Sequence, residues 1–396
     1  MQQLRLLDKN KNIKDLTILL RVDFNVPLQN KIVSDSTKIT KVKDIINNFL
    51  SRGAIVILCS HLGRPQLKGK VGFTLEPIKD AAEKIIGQEI TFIKENFKKT
   101  ISEKKLENKK LFLLENIRFD IREESNSDEL SKDLADLCDI YINEAFSCSH
   151  RQHASIHGIT KFADAYAGET IKKELDALNS IITDTQKPIT CIVGGSKIST
   201  KIDLIVNLIP KINYMIIGGA MANNFFKYKG STVGKSKIEE NIDSKVGQII
   251  HAAEKNNCEL IIPTDVVTAK TFDDLGTAKS LNEIDDDDMI LDIGAKTIFT
   301  ITEILHKSKT VFWNGPLGFF EKDNFANGTN EVSNTIAQLT KDKILTSIAG
   351  GGDTFAAIKK SKKEKDFTYI STAGGAFLEW LEGKVLPGLK VLEIKN

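Results

Sequence analysis

The strongest constraint on this chain is a recurrence of short runs rich in Ile, Leu and Val, each stopping abruptly at polar or glycine residues and then giving way to a helical pattern. In the first half these runs are LTILLRV from Leu16, AIVILC from Ala54, KLFLLEN from Lys110 and DIYINEA from Asp139. A strand with one wet face alternates polar and apolar residues, so an unbroken apolar run implies burial on both faces. Doubly buried strands alternating with helices form parallel βαβ units. The second half repeats the theme in TCIVGG, YMIIGG, ELIIPTD, TVFWNG, TSIAGGG and YISTAGG. The expected fold is α/β, two doubly wound parallel-sheet (Rossmann-like) domains, and 396 residues suffice for two separate cores.

Between the halves, AYAGETIKKELDALNSIITD (Ala165 to Asp184) carries Ile171, Leu175 and Leu178 at spacings of four and three, then polar TQKP. That pattern predicts a helix joining the domains.

Composition then removes whole classes of function. Lys and Arg number 55 against 53 Asp and Glu, and a net charge of +2 does not suit a general polyanion binder. The five cysteines are scattered, with no Cys-x-x-Cys, which argues against a disulfide framework or zinc knuckle and for a reducing, cytoplasmic setting. No apolar run approaches the roughly 20 residues that span a bilayer, and the first residues show no signal-peptide pattern. A soluble, untargeted protein is expected, without membrane or nucleic-acid partners.

Particular residue types are unevenly placed. Only 7 of the 55 basic residues are arginine, all at or before Arg151, whereas 19 of 26 glycines follow residue 190. In open parallel sheets ligands bind beyond the carboxyl ends of the strands. In the first half those positions read Arg21, Asp23 and Asn25; Ser60, His61 and Arg64; Asn116 and Arg118; and Asn143 leading to His150 and Arg151. Each of four successive strand ends delivers a cation. Arginine grips phosphate and carboxylate bidentately, so the cluster points to a small, highly anionic substrate. His153 and His157 add little to this reading.

The second half offers glycine loops between strand and helix, where backbone N–H groups and a helix amino terminus can approach phosphate. GGSKIST, GGAMAN, AGGGDT and STAGGA share this arrangement. With a helix starting near Ser196, Lys197 and Lys201 lie four apart on one face. Asp353, after three glycines, suits a nucleotide-bound Mg²⁺. GSTVGKS from Gly230 is not a Walker A loop, since one spacer residue is missing and a helix rather than a strand precedes it. Neither G-x-G-x-x-G nor G-x-S-x-G occurs. The run Asp285 to Asp288 reads as a solvated acidic loop with no assigned role.

In order, RVDFNVP (Arg21 to Pro27), SHLGRP, ENIRF, HRQHAS, GGSKIST, DIGAKT, WNGPLG, GGGDT and STAGGA span nearly the whole chain, and this ordered set resembles the phosphoglycerate kinase family. The resemblance implies a monomeric glycolytic enzyme that moves phosphate reversibly between 1,3-bisphosphoglycerate and Mg-ADP, giving 3-phosphoglycerate and ATP. It implies a phosphoglycerate domain over 1–167, an interdomain helix over 168–184, a nucleotide domain over 185–383, and residues 384–396 packing back on the first domain. It assigns phosphoglycerate to Asp23, Asn25, Lys38, His61, Leu62, Gly63, Arg64, Arg118 and Arg151. It assigns the nucleotide phosphates to Lys197 and Lys201, the adenine to Gly219, the ribose to Glu321, the cleft to Asn314 and Pro316, Mg²⁺ to Asp353, and nucleotide binding more generally to Gly195, Gly351, Gly352 and Thr354. Lys38, Lys197 and the amides of Gly374 and Gly375 would act at the moving phosphoryl group, with hinge closure across 165–184.

Where the family has a catalytic arginine in a segment like TDDTRI, this chain reads VSDSTKI, with Lys38 at the matching position. Lysine keeps the charge and loses the planar fork. Ala373, Glu144 and Ala295 replace glycine, aspartate and proline; a methyl at Ala373 is expected to crowd a phosphate. Two rival readings are a catalytically impaired scaffold of the same fold, and a nucleotide-dependent ligase or dehydrogenase. The missing dinucleotide fingerprint argues against the latter.

Overall fold

A computed structural model describes residues 3–65, 72–183, 185–371, 373 and 375–394. The chain divides into two compact units, residues 1–176 with 385–396, and residues 177–384. The helix expected over Ala165 to Asp184 covers only Glu169–Thr183, with Ile171, Leu175 and Leu178 buried, because Ala165–Ala167 pairs with Tyr141–Asn143 as a strand instead; the division falls inside the helix, after Asp176. Asp184, the last residue of that expected segment, lies outside the described residues.

In the first unit the strands are β1 (Thr17–Arg21), β2 (Leu28–Gln29), β3 (Ile32–Val33), β4 (Ile55–Cys59), β5 (Thr91–Ile93), β6 (Leu111–Leu114), β7 (Ile140–Asn143) and β8 (Ala165–Ala167). Six form a parallel sheet of order β5-β6-β4-β1-β7-β8, while β2 and β3 make a small antiparallel hairpin. Arg21 registers with Cys59 on one side and Asn143 on the other, so three strand ends are level. One sheet face is covered by helices Thr37–Ser51 and Glu76–Ile86. The first buries Ile39, Val42, Ile46 and Phe49, a single stripe at helical spacing, and the second Ile78, Ala82 and Ile86. Truncating one of the isoleucines or Phe49 to alanine costs about 2–5 kcal/mol through lost burial and the cavity left behind. Strands β5 and β8 leave no mark in the sequence pattern because TFI and AYA contain no run of Ile, Leu and Val.

The end of the chain closes this unit. Arg5 N–H donates to Leu392 O (2.8 Å), Ile394 N–H to Gln3 O (2.9 Å) and Gly388 N–H to Ser149 O (2.8 Å). A Cβ on Gly388 would lie 2.6 Å from Ile156 Cγ2, so the turn at Pro387–Lys390 sits directly against the loop that carries Arg151.

The second unit holds β9 (Ile189–Val193), β10 (Tyr214–Ile217), β11 (Glu259–Ile261), β12 (Asp265–Ala269), β13 (Thr277–Ser280), β14 (Met289–Ile293), β15 (Thr310–Asn314), β16 (Thr346–Gly350) and β17 (Tyr369–Ser371). Its parallel sheet runs β11-β10-β9-β15-β16-β17. Trp313 is fully buried in its core, donating from Nε1 to Gly315 O at 2.8 Å. The run ELIIPTD, read as one strand, is two: Pro263 intervenes, and β12 joins a separate antiparallel sheet of order β13-β12-β14. Among the described residues no helix is long and apolar enough to cross a membrane.

Candidate functional site

The first unit places its polar strand ends around the point where the sheet order reverses, between β1 and β7. Asp23, two residues past β1, accepts from Lys38 Nζ at 2.7 Å and from Ser147 Oγ at 2.5 Å. Burial opposes its charge, but Lys38 and the Ser147 hydroxyl outweigh that and hold the carboxyl well below the usual range. Lys38 also donates to Asn25 O (3.1 Å), and Asn25 Oδ1 accepts from Gly63 N–H (3.0 Å). Thus the loop after β1 grips the loop after β4, and Lys38 is already engaged by a carboxylate. Gly63 has φ +58, and a Cβ there would strike the Phe73 ring at 2.2 Å.

Asn116 bridges the same loops, donating to Leu62 O (2.8 Å) and accepting from the N–H groups of Leu62 (3.2 Å) and Arg118 (3.1 Å). Arg118 donates to Gly63 O at 2.6 Å and pairs with Glu124 at 3.3 Å. Arg151 Nε donates to His150 Nε2 at 3.1 Å, and Arg64 is exposed. The cations leave an electrostatic mark. Burial, then the charges of Arg151 and Arg118, push His150 down to about 4 and His153 down to about 3. Burial and Arg21 hold His61 well below its ordinary value.

Arg21 differs from the expectation. It is only 1% exposed, and its donors are spent inside on Ser155 Oγ (2.9 Å), Val22 O (2.6 Å) and His61 Nδ1 (3.3 Å). It is therefore an internal support rather than a surface grip. Ser147, Ser155 and the buried Glu123 were missed, because nothing in FSCSH, HASIHG or REESN separates them from surface polar residues.

In the second unit the sheet reverses between β9 and β15, and the glycine loops meet there. Gly194 N–H donates to Asn314 O (2.8 Å) and Gly195 N–H to Pro316 O (3.0 Å). A Cβ on Gly194 would lie 2.1 Å from Pro316 O, so this glycine is needed first for loop-on-loop packing. The helix expected near Ser196 begins only at Ile202, after a 3₁₀ turn at Ile198–Thr200. Lys197 and Lys201 consequently do not share a helical face. Lys197 is exposed, whereas Lys201 turns inward and donates to Gly194 O (2.6 Å) and Asn314 O (3.3 Å). Burial pushes Lys201 down to about 8.

Asn314 and Thr354 stitch the neighbouring loops. Asn314 Nδ2 donates to Gly350 O (2.5 Å), and Thr354 Oγ1 accepts from Gly315 N–H (2.7 Å). Gly351 at φ +102 precedes helix Gly352–Lys360, leaving Asp353 exposed in its first turn. Gly375 opens helix Gly375–Leu381; Gly374 lies outside the described residues. Ala373 is 4% exposed, so its methyl is turned into the protein rather than toward an open phosphate approach.

A cleft of about 470 Å³ opens within this unit. Gly195, Gly219, Pro316, Glu321 and Asp353 of the expected set line it, together with Phe226, Phe272, Met289, Leu291 and Leu317. A cleft of this size whose wall is mostly apolar suits a nucleobase and ribose. Lys197, Lys201, Asn314, Gly351, Gly352 and Thr354 lie outside its lining. Much of the apolar wall comes from the antiparallel sheet, invisible in the sequence reading. As a magnesium ligand Asp353 fits: a single exposed carboxylate beside a nucleotide-sized cleft is the donor set Mg²⁺ uses when phosphates and waters supply the rest. Asp285 to Asp287 are exposed as expected, but Asp288 is 2% exposed and accepts from Lys279 (2.7 Å) and Asp285 N–H (2.8 Å), a staple for its loop.

Two parallel, reversing sheets with ligand-type groups beyond their carboxyl ends define a Rossmann-like α/β enzyme of two units. A family model described as Phosphoglycerate kinase matches residues 8–384. Among curated proteins, phosphoglycerate kinase of Wolbachia pipientis subsp. Culex pipiens is 44% identical over 96% of each chain, and that of Zymomonas mobilis is 41% identical over 98% of this chain and 99% of its own. Among solved structures, phosphoglycerate kinase from Coxiella burnetii aligns with TM-score 0.80 and 35% identity over 98% of both chains. The enzyme from Pyrococcus horikoshii aligns with TM-score 0.81 and 28% identity over 99% of this chain and 98% of its own. The chain belongs to the phosphoglycerate kinase family and is a phosphotransferase.

Proposed function

We propose that the enzyme transfers phosphate reversibly between 1,3-bisphosphoglycerate and ADP, giving 3-phosphoglycerate and ATP, as a cytoplasmic monomer. The observation that carries this reading is the gathering of Arg64, Arg118 and Arg151 around His150, with His61 next to Arg118, beyond the strand ends of one sheet, chemistry suited to a small polyanion. Asp23, Asn25, Leu62 and Gly63 set the loops that present these groups.

On the nucleotide side, Gly219, Pro316 and Glu321 hold base and ribose in the apolar cleft, while Gly195, Lys197, Lys201, Asn314 and the loop Gly351 to Thr354 serve the phosphates. A β-phosphate oxygen of ADP attacks the acyl phosphorus, and the bond from phosphorus to the carboxyl oxygen breaks, leaving its electrons on the carboxylate of 3-phosphoglycerate. Such transfer depends on placement and charge stabilisation rather than on a covalent intermediate. Lys38, Lys197 and the amides at Gly374 and Gly375 meet the spreading negative charge. Mg²⁺, held through Asp353 and the nucleotide, neutralises phosphate charge when bound.

Because acid and nucleotide are bound by residues of different units, turnover requires their reacting atoms to be brought into line, and we assign that motion to the helix spanning 169–183. A coupled assay of ATP formation from 1,3-bisphosphoglycerate tests the reaction. Binding of both ligands without turnover would instead identify a scaffold that retains the fold. Identical X-ray scattering with and without both ligands would remove the closing motion.

A further inference from the structure

The buried group beneath the anion site is continuous. Glu123, with no exposure, accepts from Ser155 Oγ at 2.6 Å and from Ser155 N–H at 2.9 Å. Ser155 Oγ in turn accepts from Arg21 Nε at 2.9 Å, and Tyr141 Oη pins the same residue by donating to Ser155 O at 2.8 Å. At the far end, Arg21 NH2 lies 3.3 Å from His61 Nδ1, with Cys148 Sγ 3.8 Å from the same nitrogen. A guanidinium has donors and no acceptor, so the nitrogen facing it must offer a lone pair. The ring proton is then on Nε2.

We infer that Arg21 is a positioning residue for His61: its guanidinium, held by Ser155 and through it by Glu123, fixes the imidazole as the Nε2–H tautomer, which presents a donor to the anionic substrate. This rests on the assignment of His61 to phosphoglycerate made above. Only a fork-shaped cation does this, because one nitrogen must reach Ser155 while another reaches His61. Lysine at position 21 keeps the charge and cannot span both.

The test is a long-range proton–nitrogen correlation spectrum of the imidazoles in the full-length protein, free of ligand. It is expected to show His61 with a pyridine-type Nδ1 and a pyrrole-type Nε2. Arg21→Lys is expected to lose that single-tautomer pattern and to raise KM for 3-phosphoglycerate about tenfold with little change in kcat, the mark of a lost binding contact. Ser155→Ala removes only a hydroxyl, so it serves if Arg21→Lys does not fold, and it is expected to move both readouts in the same direction. A ring protonated at Nδ1 in the unmodified protein overturns the inference. So do folded variants whose spectrum and KM match the unmodified protein, or whose KM rises while the tautomer pattern stays intact. Adding 3-phosphoglycerate then examines the underlying assignment separately: an unmoved Nε2 signal would refute the ligand, whereas the free-protein spectrum decides the tautomer by itself.

Discussion

Lys38 and Lys201 show how the same cation acquires different chemistry from its surroundings. Lys38 is bound to Asp23 at 2.7 Å, so its single ammonium is largely committed before substrate arrives. An arginine there can face Asp23 with one edge and direct another N–H outward. Lys38→Arg is therefore expected to raise kcat by about tenfold, a small part of what an arginine finger supplies. Steady-state rates with saturating ligands check this, and an unchanged or lower kcat would mean that the loops are matched to lysine. Lys201, pushed down to about 8 by burial, behaves oppositely. Its folded value lies below that of a free lysine, so raising the pH through about 8 discharges it in the native enzyme first. If the charged form meets ADP, kcat/KM for ADP falls above pH 8 in the unmodified enzyme, and Lys201→Arg flattens that limb. A profile with no limb near 8 would remove Lys201 from the phosphates.

At the scale of elements, the caps and loop contacts decide more than the strands. Glu144, 3% exposed just beyond β7, accepts from the N–H groups of Glu169 (2.9 Å) and Thr170 (2.8 Å), so a carboxylate from one strand end caps the helix Glu169–Thr183. Glu144→Ala is expected to cost about 2–3 kcal/mol, with Glu144→Gln recovering part of it, read as a shift in urea midpoint at constant slope. Most of the architecture was legible at this scale. The runs at Leu16, Ala54, Lys110 and Asp139 became buried strands because double burial writes itself as continuous apolarity. The strands at 91–93, 165–167 and 277–280 were not, since TFI, AYA and TAKS contain no continuous run of Ile, Leu and Val. That Arg64, Arg118 and Arg151 come close to one another was readable from strand ends, but Arg21 turned inward, a choice made by Ser155 and Glu123 far along the chain. The Lys197 and Lys201 pairing failed because a 3₁₀ turn consumed the residues that a regular helix would have needed.

For the whole molecule, the two kinds of candidate ligand group are segregated: every arginine lies in residues 1–176, and the glycine loops of the proposed nucleotide site lie in 177–384. Saturation with 3-phosphoglycerate is expected to slow amide exchange around residues 17–63 and 116–156. Mg-ADP is expected to protect 194–236 and 314–354, each ligand adding about 2.7 kcal/mol at a hundredfold excess over its Kd. Exchange mass spectrometry with each ligand alone distinguishes the patterns, and one pattern common to both would contradict separate sites. The hydrogen bonds that Leu392, Ile394 and Gly388 make with Gln3, Arg5 and Ser149 bear on biosynthesis. On the ribosome, the strands of the unit made first must wait for its closing segment until all of the other unit has been translated. That early piece is thus left with an unsealed seam for more than half of the chain's synthesis, the interval when a chaperone has most to protect.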